Sequence, residues 1–455
     1  MIPQTTPRSE RLHIGIFGKR NAGKSSLLNA ITGQNVAVVS PVKGTTTDPV
    51  FKTMELLPLG PIVLIDTPGF DDVGGLGELR VEKTRNILRK TDIAILVVDD
   101  AGITTADEEL VALFDATEVK YIIVYNKNDL VRHCEECKRR SNPASTCGSD
   151  CITLGAVNET AREAFATLTA SDVNVSRTAS LAMTGENPFR YNSRAHTLHI
   201  NAQTGENIDE LKNLLSQIKP TSPPPRPLVA DLLRPHDTVI LVTPIDEAAP
   251  KGRLILPQQQ VIRNILAARA IPILTQPEEL PATLASLLHP PKMVITDSQA
   301  FKQVAEILLP DTPLTSFSIL MARYKGVLQQ AIEGAHAIDG IRTGDNILIS
   351  EGCTHRRQCD DIATVKIPRG IESHTGAKPI YTFSSGGEFP QELSIFKLII
   401  HCGGCMLNNR EMLYRQDAAM AAGIPITNFG VVLSHIQGIL PRCIAPLRNS
   451  DCANL

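Results

Sequence analysis

The sequence predicts an α/β protein made of three consecutive units, each an open sheet with helices packed on it. Three observations carry this. Short apolar runs of strand character alternate with helical patterns from residue 11 to 127, the signature of a parallel sheet. PTSPPPRP at 220–227 reads as a stiff linker that ends the first unit. Two further alternating stretches follow, 228–338 and 339–455.

Taken in order, RLHIGIF (11–17) alternates and is rich in β-formers, so it reads as a strand. A glycine-rich turn and the helical KSSLLNAIT follow it. VLIDTP (63–68), DIAILVVDD (92–100) and YIIVYNK (121–127) are further strands, with the helical LRVEKTRNILRK (79–90) between the first two. In the second unit, TVILVTPID, IPILT and KMVITD are strands, and PQQQVIRNILAARA and QAFKQVAEIL are helices. Few polar residues converge there, so that unit reads as an interaction module. The third unit holds DNILISEGC, KPIYTFSSGGE and FKLIIHCGGC, three strand-like runs that each end in polar or glycine-rich residues.

A chain of 455 residues exceeds one ordinary core, and 42 % hydrophobic with 20 % charged residues is globular composition. The net charge of −3 gives no electrostatic case for a nucleic-acid partner. No apolar run is long enough for a membrane span, and the N-terminus has no secretory h-region, so a cytoplasmic location is expected. In that setting ten cysteines point to metal or thiol chemistry rather than a disulfide framework.

GKRNAGKS (18–25) matches G-x-x-x-x-G-K-[ST] between a strand and a helix, the context in which backbone N–H groups and a helix N-terminus cradle phosphate. Gly18, Asn21, Ala22, Gly23, Lys24, Ser25 and Ser26 form this loop. Lys24 would reach the β/γ-phosphates and Ser25 would ligate Mg²⁺. DTPG (66–69) supplies Asp66 for Mg²⁺ through water and the Gly69 N–H for the γ-phosphate. GTTTD (44–48) supplies a threonine, Thr46 by preference, to complete the Mg²⁺ shell. NKND (126–129) supplies Asn126, Lys127 and Asp129. The Asp129 carboxylate can accept both guanine donors, a pair that adenine lacks. The set therefore selects GTP. It resembles the TrmE–Era class of GTPases, and the resemblance makes HINAQTGENI (199–208) the last guanine-contacting loop, with Asn201 and Ala202 where the class usually has Ser-Ala.

Lys24, Asn21 and Thr46 are the residues expected to carry hydrolysis. The position after DxxG that holds a water-orienting glutamine in Ras-like GTPases is Phe70 here. Asn21 sits where potassium-dependent relatives use an asparagine to bind K⁺, and the resemblance implies K⁺ in place of an arginine finger. The plain alternative is that Asn21 only shapes the loop. An insertion of about 132–195 separates NKND from HINAQTG, and its Cys134, Cys137, Cys147 and Cys151 are spaced for zinc or a small cluster, or are incidental.

In the third unit, Cys402 and Cys405 form C-x-x-C, and CTH adds Cys353 and His355. Each segment follows a strand, and ligands of open α/β sheets gather at strand carboxyl ends. KPIYTFSSGGE brings Glu388 to the same edge. Ligand arithmetic allows a Cys₃His zinc site or a [4Fe-4S] cluster with one iron not held by cysteine. Cys359, Cys443 and Cys452 read as spare or structural thiols, and His13 and His336 as core or surface residues.

A potassium-type GTPase, a small α/β unit, then C-x-H and H-C-x-x-C resembles the HydF family of [FeFe]-hydrogenase maturation GTPases over almost the whole chain. The resemblance implies a GTP-binding domain at 1–219, a dimerisation domain at 228–338 and a cluster-binding domain at 339–455. It implies that Cys353, Cys402 and Cys405 hold a [4Fe-4S] cluster, with His355, His401 or Glu388 as possible fourth ligand. It further implies a homodimer that carries a transient 2Fe subcluster precursor between radical-SAM maturases and apo [FeFe]-hydrogenase. The rival reading is a ribosome- or RNA-associated TrmE–Era-type GTPase with a C-terminal Cys₃His zinc module.

Overall fold

The computed structural model describes residues 6–33, 49–68, 84–99, 102–126, 196–221, 226–245, 254–353 and 361–448. The first sheet contains β1 (Leu12–Phe17), β2 (Val50–Leu56), β3 (Gly60–Asp66), β4 (Ile93–Val98), β5 (Lys120–Asn126) and β6 (His196–Ile200). Its order is β2-β3-β1-β4-β5-β6, parallel throughout except for β2, which runs antiparallel to β3. Strand alternation splits the apolar side chains between two faces. Ile14 and Ile16 pack with Leu27 and Leu28 of α1 (Lys24–Thr32) and Leu211 of α3 (Ile208–Gln217). Phe17 and Val63 pack on the other face with Phe114 of α2 (Thr105–Ala116).

At the amino end of β1 the His13 N–H donates to Asp92 Oδ2 (2.9 Å), and its ring contacts the Arg11 carbonyl. Burial pushes the His13 imidazole down to about 4 and the Asp92 carboxyl up to about 6. The signs oppose. His13 resists a proton that the unfolded chain accepts, so its contribution is lost as pH falls from 6.5 towards 4. Asp92 holds a proton that the unfolded chain releases, so its contribution grows as pH falls from 6 towards 3.8. Thermal midpoints should therefore fall more steeply below pH 6.5 in Asp92→Asn than in wild type, and less steeply in His13→Gln. Parallel curves in all three proteins would contradict this pairing.

The second sheet holds β7 (Thr238–Val242), β8 (Ile271–Thr275), β9 (Met293–Thr296) and β10 (Leu314–Ser316) in the order β10-β9-β7-β8. The third holds β11 (Asn346–Glu351), β12 (Ile380–Ser385), β13 (Leu398–His401) and β14 (Ile426–Asn428) in the order β12-β11-β13-β14. Both are wholly parallel. The intervening helices are α4 (Leu256–Ala267), α5 (Leu280–Ala285), α6 (Phe301–Ile307), α7 (Phe317–Tyr324), α8 (Leu328–Ala335), α9 (Ile367–Thr375), α10 (Asn409–Ala421), α11 (Phe429–Ile436) and α12 (Leu440–Ile444).

One apolar core runs through the second and third units, from Leu228 and Ile240 to Phe429 and Leu447. The expected boundary at 338/339 lies beyond α8, yet α8 packs on β14. Thr427 Oγ1 donates to the Ala331 carbonyl (2.7 Å), and a Cβ on Gly334 would sit 2.2 Å from the Ile426 oxygen. So α8 belongs structurally with the third sheet. The third unit also meets the first: Asn408 Nδ2 donates to the Lys90 carbonyl (2.8 Å), and the Arg89 guanidinium lies 4.1 Å from the Tyr414 ring centre. Among the described residues no helix is long and apolar enough to cross a membrane.

Candidate functional site

The glycine-rich loop sits at the carboxyl end of β1, as motif and strand order require. Gly18 and Gly23 have φ of +140° and +96°, and a Cβ on Gly23 would lie 2.1 Å from Asn126 Nδ2. Only glycine meets both constraints. Lys24 is buried, and its Nζ donates to the carbonyls of Gly18 (2.9 Å) and Lys19 (2.7 Å), which places the ammonium inside the loop. Asn21 has φ +64°, a left-handed conformation that asparagine tolerates better than most residues, so the shape of the loop itself favours asparagine here.

Ser25 Oγ donates to Asp66 Oδ2 (2.7 Å), although 41 residues separate them in sequence. Asp66 is buried, which raises its pKa against the opposing effects of Ser25 and Lys24. Its second oxygen, Oδ1, is buried without a hydrogen-bond partner. An orphaned carboxylate oxygen beside a serine hydroxyl is an oxygen pair that fits Mg²⁺ and its waters. Asn126 does more than line the pocket. Its Nδ2 donates to the Ala22 carbonyl (3.0 Å) and its Oδ1 accepts from the Ala202 N–H (3.1 Å), so it bridges the phosphate loop to the 201–206 turn. In that turn Asn201 Oδ1 accepts from the N–H groups of Gln203 and Thr204. Ser26 follows Ser25 within α1. Thr46, Gly69, Phe70, Lys127 and Asp129 lie outside the described residues, as do His355 and the four cysteines of the insertion.

At the far end of the chain, β11 and β13 are adjacent and parallel, with Ser350 opposite His401. This brings Cys353 and Cys402 to neighbouring strand ends, and β12 ends on the other side of β11. Cys402 Sγ accepts from the backbone N–H of Gly352 (3.0 Å) and of Gly404 (3.3 Å). Gly404 has φ +63°, and a Cβ there would meet Met412 Sδ at 2.5 Å, so the HCGGC turn needs glycine at that position. Burial raises the Cys353 thiol to about 12, with Cys402 and Cys405 adding to the rise. Burial, then Cys402, raises Cys405 to about 11, opposed by the Lys325 ammonium. Three buried thiols, two of them held protonated in part by their cysteine neighbours, become thiolates together only around a cation, which is the chemistry of a metal-cluster donor set. All three are free thiols. Glu388 follows the end of β12 and is exposed.

His401 is the last residue of β13. It is buried, its Nδ1 lies 2.7 Å from the Cys402 carbonyl and its Nε2 lies 3.0 Å from Arg415 Nη1. Arginine can only donate, so Nε2 accepts and Nδ1 carries the proton. Both ring nitrogens are occupied, and burial beside Arg415 lowers the imidazole to about 3. As placed, His401 orients the strand end through these two contacts.

Sequence reasoning missed Arg415, a fully buried side chain beneath the cysteines. It donates to Glu411 Oε1 from Nε and Nη2 (3.0 and 2.9 Å), to Ser350 Oγ (3.2 Å) and to the Gly386 carbonyl (2.8 Å). One guanidinium thereby ties together the carboxyl ends of β11, β12 and β13. Only its i, i+4 spacing from Glu411 was visible in the sequence. Arg415→Met should destabilise the chain by about 3–5 kcal/mol, because it leaves Glu411 buried and unpaired. Arg415→Met with Glu411→Met should recover much of that loss in thermal unfolding, and equal losses in the single and double variants would refute the pairing. Lys325 was also missed. It is buried in the segment after α7, and its Nζ donates to the Leu407 carbonyl (2.7 Å).

Comparison with known proteins adds three matches. The 50S ribosome-binding GTPase family model matches residues 13–127, the hydrogen maturase F dimerization domain 228–326, and the hydrogen maturase F tetramerization domain 329–446. GTPase Der of Wolinella succinogenes is 40 % identical over 133 residues, 28 % of each chain. The tRNA modification GTPase MnmE of Herminiimonas arsenicoxydans is 38 % identical over 127 residues, 27 % of each. The match thus spans less than a third of each of these relatives. A solved structure of Era with MgGDPNP and a 16S ribosomal RNA segment is 18 % identical, covering 59 % of this chain and 92 % of that one, with a TM-score of 0.32. The start of the tetramerization match at 329 agrees with the packing of α8 on the third sheet. A GTPase domain followed by the dimerization and tetramerization domains of hydrogen maturase F makes this chain a member of the hydrogen maturase F family.

Proposed function

We propose that the chain hydrolyses GTP and serves as an iron–sulfur scaffold that assembles and delivers the two-iron precursor of the [FeFe]-hydrogenase active site. The observation that carries this is the meeting of Cys353, Cys402 and Cys405 at parallel strand ends, inside a region that matches a hydrogen maturase F domain. These three thiols would hold a [4Fe-4S] cluster. When bound, it supplies one iron whose outer position the thiols leave open, where a second iron unit can be received and released. The chain's own residues do the rest. The Gly352 and Gly404 N–H groups direct hydrogen bonds at the Cys402 sulfur, Arg415 holds the strand ends in register, and Lys325 sets positive charge near Cys405. His355, His401 and Glu388 are the candidates for a fourth protein ligand.

In the nucleotide pocket Lys24 would hold the β/γ-phosphates, Ser25, Thr46 and Asp66 would organise Mg²⁺, and Asp129 with Lys127 would select guanine. Asn21 would bind K⁺, which supplies the positive charge that an arginine finger gives elsewhere. The partners implied are a second copy of this chain through the dimerization region, radical-SAM maturases and apo hydrogenase, in the cytoplasm. Anaerobic reconstitution with iron and sulfide, followed by metal analysis and EPR of the reduced protein, tests the reading. About four irons per chain with a cubane signal is the expected result. Zinc retained in place of iron would overturn it and favour an RNA-associated GTPase with a zinc module.

A further inference from the structure

We infer that Asp339, His374 and His435 form a second metal site, distinct from the cysteines, for one divalent ion of the zinc class. The three lie on separate elements: Asp339 on the 3-10 turn His336–Gly340, His374 in the last turn of α9 and His435 in the last turn of α11. Their ligand atoms all fall within 4.8 Å of one another. Asp339 Oδ1 accepts from His374 Nε2 at 2.8 Å and from His435 Nε2 at 3.0 Å. One carboxylate oxygen thus faces two imidazole nitrogens, and the two N–H protons fill the space that a single cation would take. On binding, each neutral imidazole moves its one proton from Nε2 to Nδ1 and so presents the Nε2 lone pair to the ion. Bonds of about 2.0–2.1 Å in a tetrahedral site separate ligand atoms by about 3.4 Å, so the carboxylate oxygen need draw back from each imidazole nitrogen by only about half an ångström.

The surroundings also favour a cation. Both histidines sit at helix C-termini, the negative ends of the helix dipoles. The hydrogen bonds from His374 and His435 hold the Asp339 carboxyl below its ordinary range, so it is a carboxylate at neutral pH. His336, on the same turn as Asp339, places its ring centre 5.6 Å from that of His435. Two imidazoles and one carboxylate suit zinc and its neighbours in the first transition row, rather than Mg²⁺ or Ca²⁺.

Topology separates this site from the cysteines. All four strands of the third sheet are parallel, and the cysteines lie at their carboxyl ends. The turn carrying Asp339 precedes β11, and α9 and α11 return from the carboxyl ends to the amino ends. The six residues of β11 span about 20 Å, so an ion here is remote from the thiols. It would clamp the turn before β11 to two helices of the region that matches the tetramerization domain.

Equilibrium dialysis of the full chain against Zn²⁺ tests this by difference, since any other metal-binding group is common to wild type and variant. Asp339→Asn/His374→Ala should bind one ion fewer per chain, and His374→Ala alone should weaken that ion by about 10–100-fold or more. Both positions are solvent-accessible, and circular dichroism checks that the variants fold. With Co²⁺ as the probe, the absorption lost in the double variant should lack thiolate charge transfer. Equal zinc stoichiometry and affinity in wild type and both variants would overturn the site. A lost cobalt signal that carries thiolate charge transfer would overturn it too, because the ion would then belong to cysteine.

Discussion

Cys353→Ala, Cys402→Ala and Cys405→Ala should each emerge from anaerobic reconstitution with most of their iron gone, while Cys443→Ala keeps it. Two thiolates seldom retain a cubane, and each cysteine stands at a strand end where no other described thiol can replace it. Cys443 is buried in the apolar core shared by the second and third units, so its loss opens a small cavity and leaves the donor set intact. Because burial holds all three thiols protonated, each variant should still fold without metal. Iron content measured beside the thermal midpoint separates the two effects. Full iron in Cys353→Ala would end the assignment of that residue, and with it the three-thiol reading.

The second large effect belongs to Lys24. Lys24→Ala should lower GTP hydrolysis by about 100-fold or more, the scale on which a single preorganised donor to the developing charge contributes. Its ammonium already lies among loop carbonyls at hydrogen-bond distance, so it needs little rearrangement to meet a phosphate. Asp129→Asn should instead relax selectivity for guanine, because an amide cannot accept both base donors. The same assay reads the monovalent cation: turnover should be faster in K⁺ than in Na⁺ at matched ionic strength, and equal rates would remove the role given to Asn21. Lys24→Ala that retains wild-type turnover would mean that this loop does not carry the chemistry.

What could be read from the sequence alone was local. The helix expected from KSSLLNAIT is α1, Lys24–Thr32, because a glycine turn, a strand before it and apolar spacing all act within one loop's length. The fold class and the GTPase motifs were legible for the same reason, since each motif is a short run whose backbone shape depends on its own glycines and hydroxyls. The nearness of Cys353 to the HCGGC turn was also within reach, because parallel α/β sheets gather strand ends on one edge.

The rest needed tertiary structure. Nothing in the sequence places Ser350, Gly386, His401 and Arg415 together, because that network joins three strands to one helix across 65 residues. His401 is a candidate ligand by its neighbours in sequence, and its contact with Arg415 is made only once α10 packs on the sheet. The core shared by the second and third units, the placement of α8 on β14, the His13–Asp92 pair and the Asp339–His374–His435 cluster are of the same kind. Periodicity records which face of an element is apolar, but not which other element covers it. Burial and charge pairing are properties of that choice, and so are the pKa shifts and metal geometries that follow from it.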